Sequence, residues 1–192
     1  GESAAAALAS EGADVAVADF DGKAAEAAAK LVRDHGRKSM AVKIDQRSTE
    51  QIEQMIQQVM DKFGKIDILV NTSSVATSAQ VVDTAEDDWD LNMDYNAKGT
   101  FITCRAAVKR MVDQGSGRII NISSMYGKSG GLLLGAYAAS KAAVISFTQC
   151  LAVELLDKGV CVNAICPGIV ERRELELGAT LKGLSPGQVE GD

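Results

Sequence analysis

Ile119-Ile120-Asn121-Ile122-Ser123-Ser124 and, further along, Ala136-Tyr137-Ala138-Ala139-Ser140-Lys141 are the stretches from which this chain is read. The first is an apolar run ending in two hydroxyls, the pattern of a buried strand whose carboxyl end meets solvent or a ligand. The second predicts a helix, on which Tyr137 and Lys141, four residues apart, share one face. A free tyrosine has a pKa of about 10, and bringing it to roughly 7 requires about 4 kcal/mol of preferential stabilisation of the phenolate. A neighbouring ammonium acts in that direction. The pair suits proton exchange with an alcohol or a carbonyl oxygen. Tyr-x-x-x-Lys alone is a common spacing, and its weight comes from what surrounds it.

Outward from these stretches, strand-like and helix-like segments alternate. Strands are predicted at 14–18, 39–44, 66–70, 118–122 and 160–165. Helices are predicted at 24–34, stopped at Gly36, and from a Ser48/Gln51 capping box to Phe63. A long helix is predicted from 84 to 113, with a bend, and another from 136 to 157. Apolar strands separated by helices indicate βαβ units and a parallel sheet covered on both faces. Ligands of such sheets bind beyond the carboxyl ends of the strands. Asp19, Asp45, Asn71, Ser123 with Ser124, and Pro167 with Gly168 all follow strands. The chain reads as one domain, 1–192, in which 171–192 carries no predicted element and is expected to form either a mobile substrate-loop region or a frayed end.

The 192 residues are 46% hydrophobic, with a net charge of −6. Disorder over most of the chain is disfavoured. Without a basic cluster, nucleic-acid binding and adhesion to an anionic membrane are disfavoured too. No apolar run reads as a membrane span, and no signal peptide is evident at the start. Four scattered cysteines and a single histidine argue against a metal site and for reduced thiols in a cytoplasmic protein.

In order, Asp-Ile-Leu-Val-Asn (67–71), Trp89-Asp90 leading to Asn96, Gly-Arg-Ile-Ile-Asn-Ile-Ser-Ser (117–124), Tyr137-x-x-x-Lys141 and Val-Asn-Ala-Ile-Cys-Pro-Gly (162–168) resemble the classical short-chain dehydrogenase/reductase family. The resemblance covers nearly the whole chain. It implies a Rossmann-like, doubly wound parallel sheet in three layers, here lacking the family's first and last strands. It implies that Tyr137 is the general acid/base, that Lys141 lowers its pKa and holds the nicotinamide ribose, and that Ser124 orients the substrate oxygen. Asn96 would hold a water in a proton relay ending at Lys141. Gly1, Asp19, Asp45, Asn71, Tyr137, Lys141, Pro167 and Gly168 would contact the cofactor. A carboxylate at Asp19 hydrogen-bonds ribose hydroxyls and repels a 2′-phosphate, so NAD is expected rather than NADP.

The implied activity is interconversion of a secondary alcohol and a ketone, with a polyol, sugar or acetoin-type substrate. The alternatives are a 3-oxoacyl-[acyl-carrier-protein] reductase, whose usual NADP preference Asp19 opposes, and a truncated scaffold without catalysis. A homodimer or homotetramer is implied for a complete protein, and a small-molecule alcohol or ketone as its partner.

The chain departs from the family at three places. Gly1 resembles the last glycine of the family's phosphate turn, with the strand before it absent. A fragment with weak cofactor binding and poor stability is expected on that basis. Thr72-Ser73-Ser74 replaces the usual Asn-Ala-Gly, which is awkward if Ser74 needs positive φ. Arg172 stands where a threonine commonly contacts the carboxamide. His35 reads as a helix C-terminus, the acidic run from Glu86 to Asp94 as a helix start, and Met93 and Trp89 as packing residues. Tyr126 either lines a pocket or packs.

Overall fold

The structure, a computed structural model, describes residues 1–168. The expected substrate loop at 171–192 and Arg172 lie outside the described residues. Helix α1 (Glu2–Ser10) leads to strand β1 (Val15–Asp19), α2 (Gly22–Asp34), β2 (Ser39–Lys43), α3 (Thr49–Phe63) and β3 (Ile68–Asn71). A 3-10 turn (Val81–Asp83) precedes α4 (Glu86–Asn92), a π-helical turn (Met93–Lys98) and α5 (Gly99–Gln114). Then come β4 (Gly117–Ile122), the short α6 (Tyr126–Ser129), α7 (Gly135–Glu154) and β5 (Val160–Ile165). All strand pairs are parallel, β1 with β2 in one sheet and β3–β4–β5 in a second.

The alternation along β1 shows why both faces are covered. Val15 and Val17 pack with Ala5, Ala9 and Val32 of α1 and α2. Ala18 points the other way, into the main core of Ile52, Ile102, Met111, Ile119, Leu151 and Val162. In β2, Ser39 Oγ donates to Ala29 O of α2 at 2.8 Å, while Val42 joins the main core. That core therefore joins the two sheets. Ile52, Met111 and Ile119 are fully buried, each contributing roughly 1.5–3 kcal/mol relative to exposure.

Several expectations are corrected. The helix predicted from 84 to 113 is three pieces, because residues 93–98 take a π-helical turn. Half of the capping box forms. Ser48 accepts from Gln51 N, but Gln51 Oε1 accepts from Asp45 N at 2.8 Å, and Ser48 N donates to Asp45 O. Ser74 does not have positive φ; among the described residues Leu133, at 60°, is the one non-glycine that does. Trp89 is 46% exposed, since it borders an open cleft and not the core. The 20-residue α7 is long and apolar enough by composition to cross a membrane. It is instead a packed helix that buries Tyr137, Lys141, Val144, Thr148 and Leu151. His35 does end α2, with Nδ1 2.8 Å from Leu31 O. Glu86, Asp87 and Asp88 do open α4.

Candidate active site

Parallel pairing puts the carboxyl ends of β3, β4 and β5 on one side, and α7 lies against them. Lys141 and Tyr137 are 2% and 6% exposed. Lys141 Nζ stands 5.7 Å from the centroid of the Tyr137 ring and donates to Ile122 O at 3.1 Å. The strand end thus holds the ammonium on the face that carries the phenol. Two further contacts lock this part of α7, one to the end of β4 and one to α6. Ser123 Oγ donates to Lys141 O at 2.7 Å. Gly127 packs so closely that a Cβ there would sit 2.8 Å from the Lys141 carbonyl carbon. Ser124 is buried, and its Oγ accepts from Tyr126 N at 3.2 Å. Its hydroxyl proton is then available to another oxygen.

Asn96 sits in the π-turn and is 1% exposed. Its Nδ2 donates to Val75 O (2.8 Å) and Ser140 Oγ (2.9 Å), and its Oδ1 accepts from Val75 N (2.8 Å). Its carbonyl accepts from Thr100 Oγ1 at 2.7 Å. The side chain is therefore a clamp between the loop after β3 and α7. A water it ordered would use a remaining lone pair of Oδ1 or of the carbonyl. Ser140 passes the clamp on, donating to Tyr137 O at 2.7 Å. Ser123 was noted only as following a strand, and Gly127 and Ser140 were not among the sequence candidates. The available signal was small or hydroxyl residues beside Ser124 and Lys141, Ser140 being three residues after Tyr137 in an otherwise apolar turn.

Asn71 turns inward. Its Nδ2 donates to Asn121 Oδ1 at 2.8 Å and contacts Cys104 Sγ at 3.3 Å, while Asn121 Nδ2 donates to Thr148 Oγ1 at 3.0 Å. This buried polar line joins β3, β4, α5 and α7. Burial pushes the Cys104 thiol up to about 12, against the opposing hydrogen bonds of Asn121 and Asn71. It is a neutral packing thiol.

The remaining candidates ring the other strand ends. Gly1 precedes α1, and a Cβ on it would lie 3.1 Å from Thr72 Oγ1. The start of α1 therefore abuts the loop after β3. Asp19 Oδ1 accepts from Asp21 N at 2.9 Å. Asp45 is bound by Arg47 through a 2.7 Å ion pair and a further side-chain hydrogen bond. Burial raises the Asp45 pKa, but the hydrogen bonds and charge of Arg47 outweigh it and hold the carboxyl below the usual range. Tyr95 shows the opposite of an activated phenol. Burial, then the charges of Asp19 and Asp45, push it above its ordinary value, Arg47 opposing. Pro167 O accepts from Met125 N at 2.9 Å, and Gly168 lies beside Met125 Sδ, which brings the end of β5 to the Ser124 loop. A cleft of about 410 Å³ opens next to Tyr137, lined by Val81, Thr84, Ala85, Glu86, Trp89, Gly135 and Ala136.

The sequence model of the short chain dehydrogenase family matches residues 1–176. The chain belongs to the short-chain dehydrogenase family. Within it, the chain is 37% identical over 187 residues to a galactitol 2-dehydrogenase of Agrobacterium fabrum (strain C58), covering 95% of this chain and 72% of that enzyme. It is 37% identical over 162 residues to a sorbitol dehydrogenase of Cereibacter sphaeroides, covering 84% and 62%. It is 37% identical over 147 residues to a 3-oxoacyl-[acyl-carrier-protein] reductase of Synechocystis sp., covering 77% and 60%. Among solved structures, NAD+-bound xylitol dehydrogenase superposes with a TM-score of 0.88 at 32% identity, over all of this chain and 73% of that one. The chain thus spans about 60–72% of the length of these curated relatives. Its Rossmann-like fold of parallel sheets is that of the family.

Proposed function

We propose that this short-chain dehydrogenase interconverts a secondary alcohol and a ketone with NAD, and that Tyr137, Lys141, Ser124 and Asn96 carry the reaction. The observation behind this is the Lys141 ammonium 5.7 Å from the Tyr137 ring, both buried at the strand end that also presents Ser124. The ammonium favours the phenolate over the phenol. In the oxidising direction Tyr137 Oη takes the hydroxyl proton of the alcohol. Ser124 Oγ donates to the same substrate oxygen and holds it toward Tyr137. In the reducing direction Tyr137 returns the proton. The Asn96 clamp keeps the helical turn bearing Tyr137 in place throughout.

The residues present fit a dinucleotide. The start of α1 offers backbone amides to a phosphate, and the absence of a Cβ at Gly1 keeps its approach to Thr72 open. Asp19 keeps carboxylate lone pairs for ribose hydroxyls, and its charge opposes a 2′-phosphate. Asp45, Asn71, Pro167 and Gly168 border the same side, with Tyr137 and Lys141 at the nicotinamide end. When bound, the nicotinamide supplies the two-electron step, exchanging hydride with the substrate carbon. Similarity to galactitol and sorbitol dehydrogenases supports a polyol or sugar substrate. Similarity to 3-oxoacyl-[acyl-carrier-protein] reductases supports the second reading, which Asp19 disfavours through its bias against NADP. A homo-oligomer in the cytoplasm completes the proposal.

The test is turnover by the full chain of polyols, acetoin and a 3-oxoacyl thioester, each with NAD(H) and NADP(H). Oxidation of a polyol with NAD is expected. Preferential reduction of the thioester with NADPH would favour the reductase, and no turnover of any carbonyl or secondary alcohol would reject the proposal.

A further inference from the structure

The π-turn that carries Asn96 leaves one carbonyl to be paired from outside. Gly99 N–H reaches back five residues to Asp94 O. It is therefore not the partner of Tyr95 O, to which an α-helix would have assigned it. Gln46 provides a donor there, its Nε2 lying 2.5 Å from Tyr95 O. Gln46 belongs to the connection between β2 and α3, 49 residues away in the chain, directly after Asp45. Gly99 makes the approach feasible: a Cβ on it would lie 2.9 Å from Gln46 Cγ and 3.1 Å from both Cδ and Nε2. From the π-turn the hydrogen bonds continue through Asn96 to Ser140 and from Ser140 to Tyr137 O.

We propose that Gln46 is a positioning residue, which fixes the π-turn through Tyr95 O and so sets Asn96, Ser140 and the helical turn bearing Tyr137 and Lys141. The inference rests on the reading of Tyr137 and Lys141 as the reacting pair. Gln46 touches no reacting atom. Its donor and the space left by Gly99 serve one contact, between the loop beside Asp45 and the turn that clamps α7. Loosening that contact shifts the reacting groups without removing any of them, and small misplacements reduce turnover more than affinity.

Three variants of the full chain test this. Gln46→Met keeps the length of the side chain and removes the donor. Gln46→Lys keeps a donor that reaches a carbonyl. Gly99→Ala leaves the chemistry of Gln46 intact and pushes it away. Gln46→Met and Gly99→Ala are expected to lower kcat roughly tenfold, with KM and coenzyme affinity held within about twofold. Gln46→Lys is expected to recover most of kcat. Amide hydrogen exchange across Met93–Lys98 is expected to accelerate in Gln46→Met and to stay near wild type in Gln46→Lys. If Gln46→Met leaves either kcat or exchange unchanged, or if Gln46→Lys is as impaired as Gln46→Met, the proposal is overturned. A wild-type chain inactive on every alcohol would instead remove the reading of Tyr137 and Lys141, and the exchange comparison would then decide the clamp alone.

Discussion

The two ends of the site are held in different ways. Around Tyr137 and Lys141, side chains bond across long stretches of chain: Asn71 to Asn121, 50 residues apart; Asn96 to Ser140, 44 apart; Ser123 to Lys141, 18 apart. Around Asp19 and Asp45, the carboxylates bond to groups two residues away, Asp21 and Arg47. The first arrangement depends on the whole fold and fixes the groups proposed to react. The second is local, so its residues can be exchanged without disturbing the core.

The sharpest way to break this contrast is at Asn121. Asn121→Ala removes the middle of the Asn71–Asn121–Thr148 line and leaves buried partners unpaired, which should destabilise the protein by on the order of 3 kcal/mol. Urea unfolding checks this, and a change below about 1 kcal/mol would mean the line contributes little. At the other end, Asp19→Asn should leave stability within about 0.5 kcal/mol of wild type. It should shift the NAD:NADP preference toward NADP by roughly tenfold or more, because like-charge juxtaposition costs several kcal/mol. Coenzyme titrations of the two proteins decide it, and an unchanged ratio would detach Asp19 from coenzyme choice.

Arg47→Ala should give the smallest effect. The folded-state pKa of Asp45 is depressed. Its stabilisation is therefore present above the unfolded carboxylate value of about 3.9 and is lost as pH falls through the lower folded value. The pair is partly exposed, so removing it should cost under about 1 kcal/mol at neutral pH. The variant should also lose less stability than wild type on acidification below about pH 4. Denaturant melts from neutral to acidic pH would show it, and parallel curves would rule the pair out as a source of the pH dependence.

The strands were legible because they are short apolar runs closed by turn residues. β5 has the predicted bounds, and β1 begins one residue later than expected. The pairing of Tyr137 with Lys141 was legible because helical spacing alone brings positions four apart together. What stayed hidden depends on residues far apart in the chain. The π-turn's Tyr95 carbonyl is met by Gln46 from the β2–α3 connection, in space left by the missing Cβ of Gly99, neighbours that no local pattern reveals. Asn71 looked outward as a residue at a strand end, and its amide turned out to bond across the sheet to Asn121. Trp89 read as a packing residue, but it is half-exposed and borders the cleft beside Gly135 and Ala136.

The most direct measurement is alcohol oxidation by Tyr137→Phe, with coenzyme affinity read from NADH fluorescence on the same preparation. The account predicts that turnover falls by about 10²–10⁴-fold, the usual range for a lost general acid/base, while coenzyme affinity stays near that of the wild type. Turnover close to the wild-type rate in a folded, coenzyme-binding Tyr137→Phe protein would contradict it.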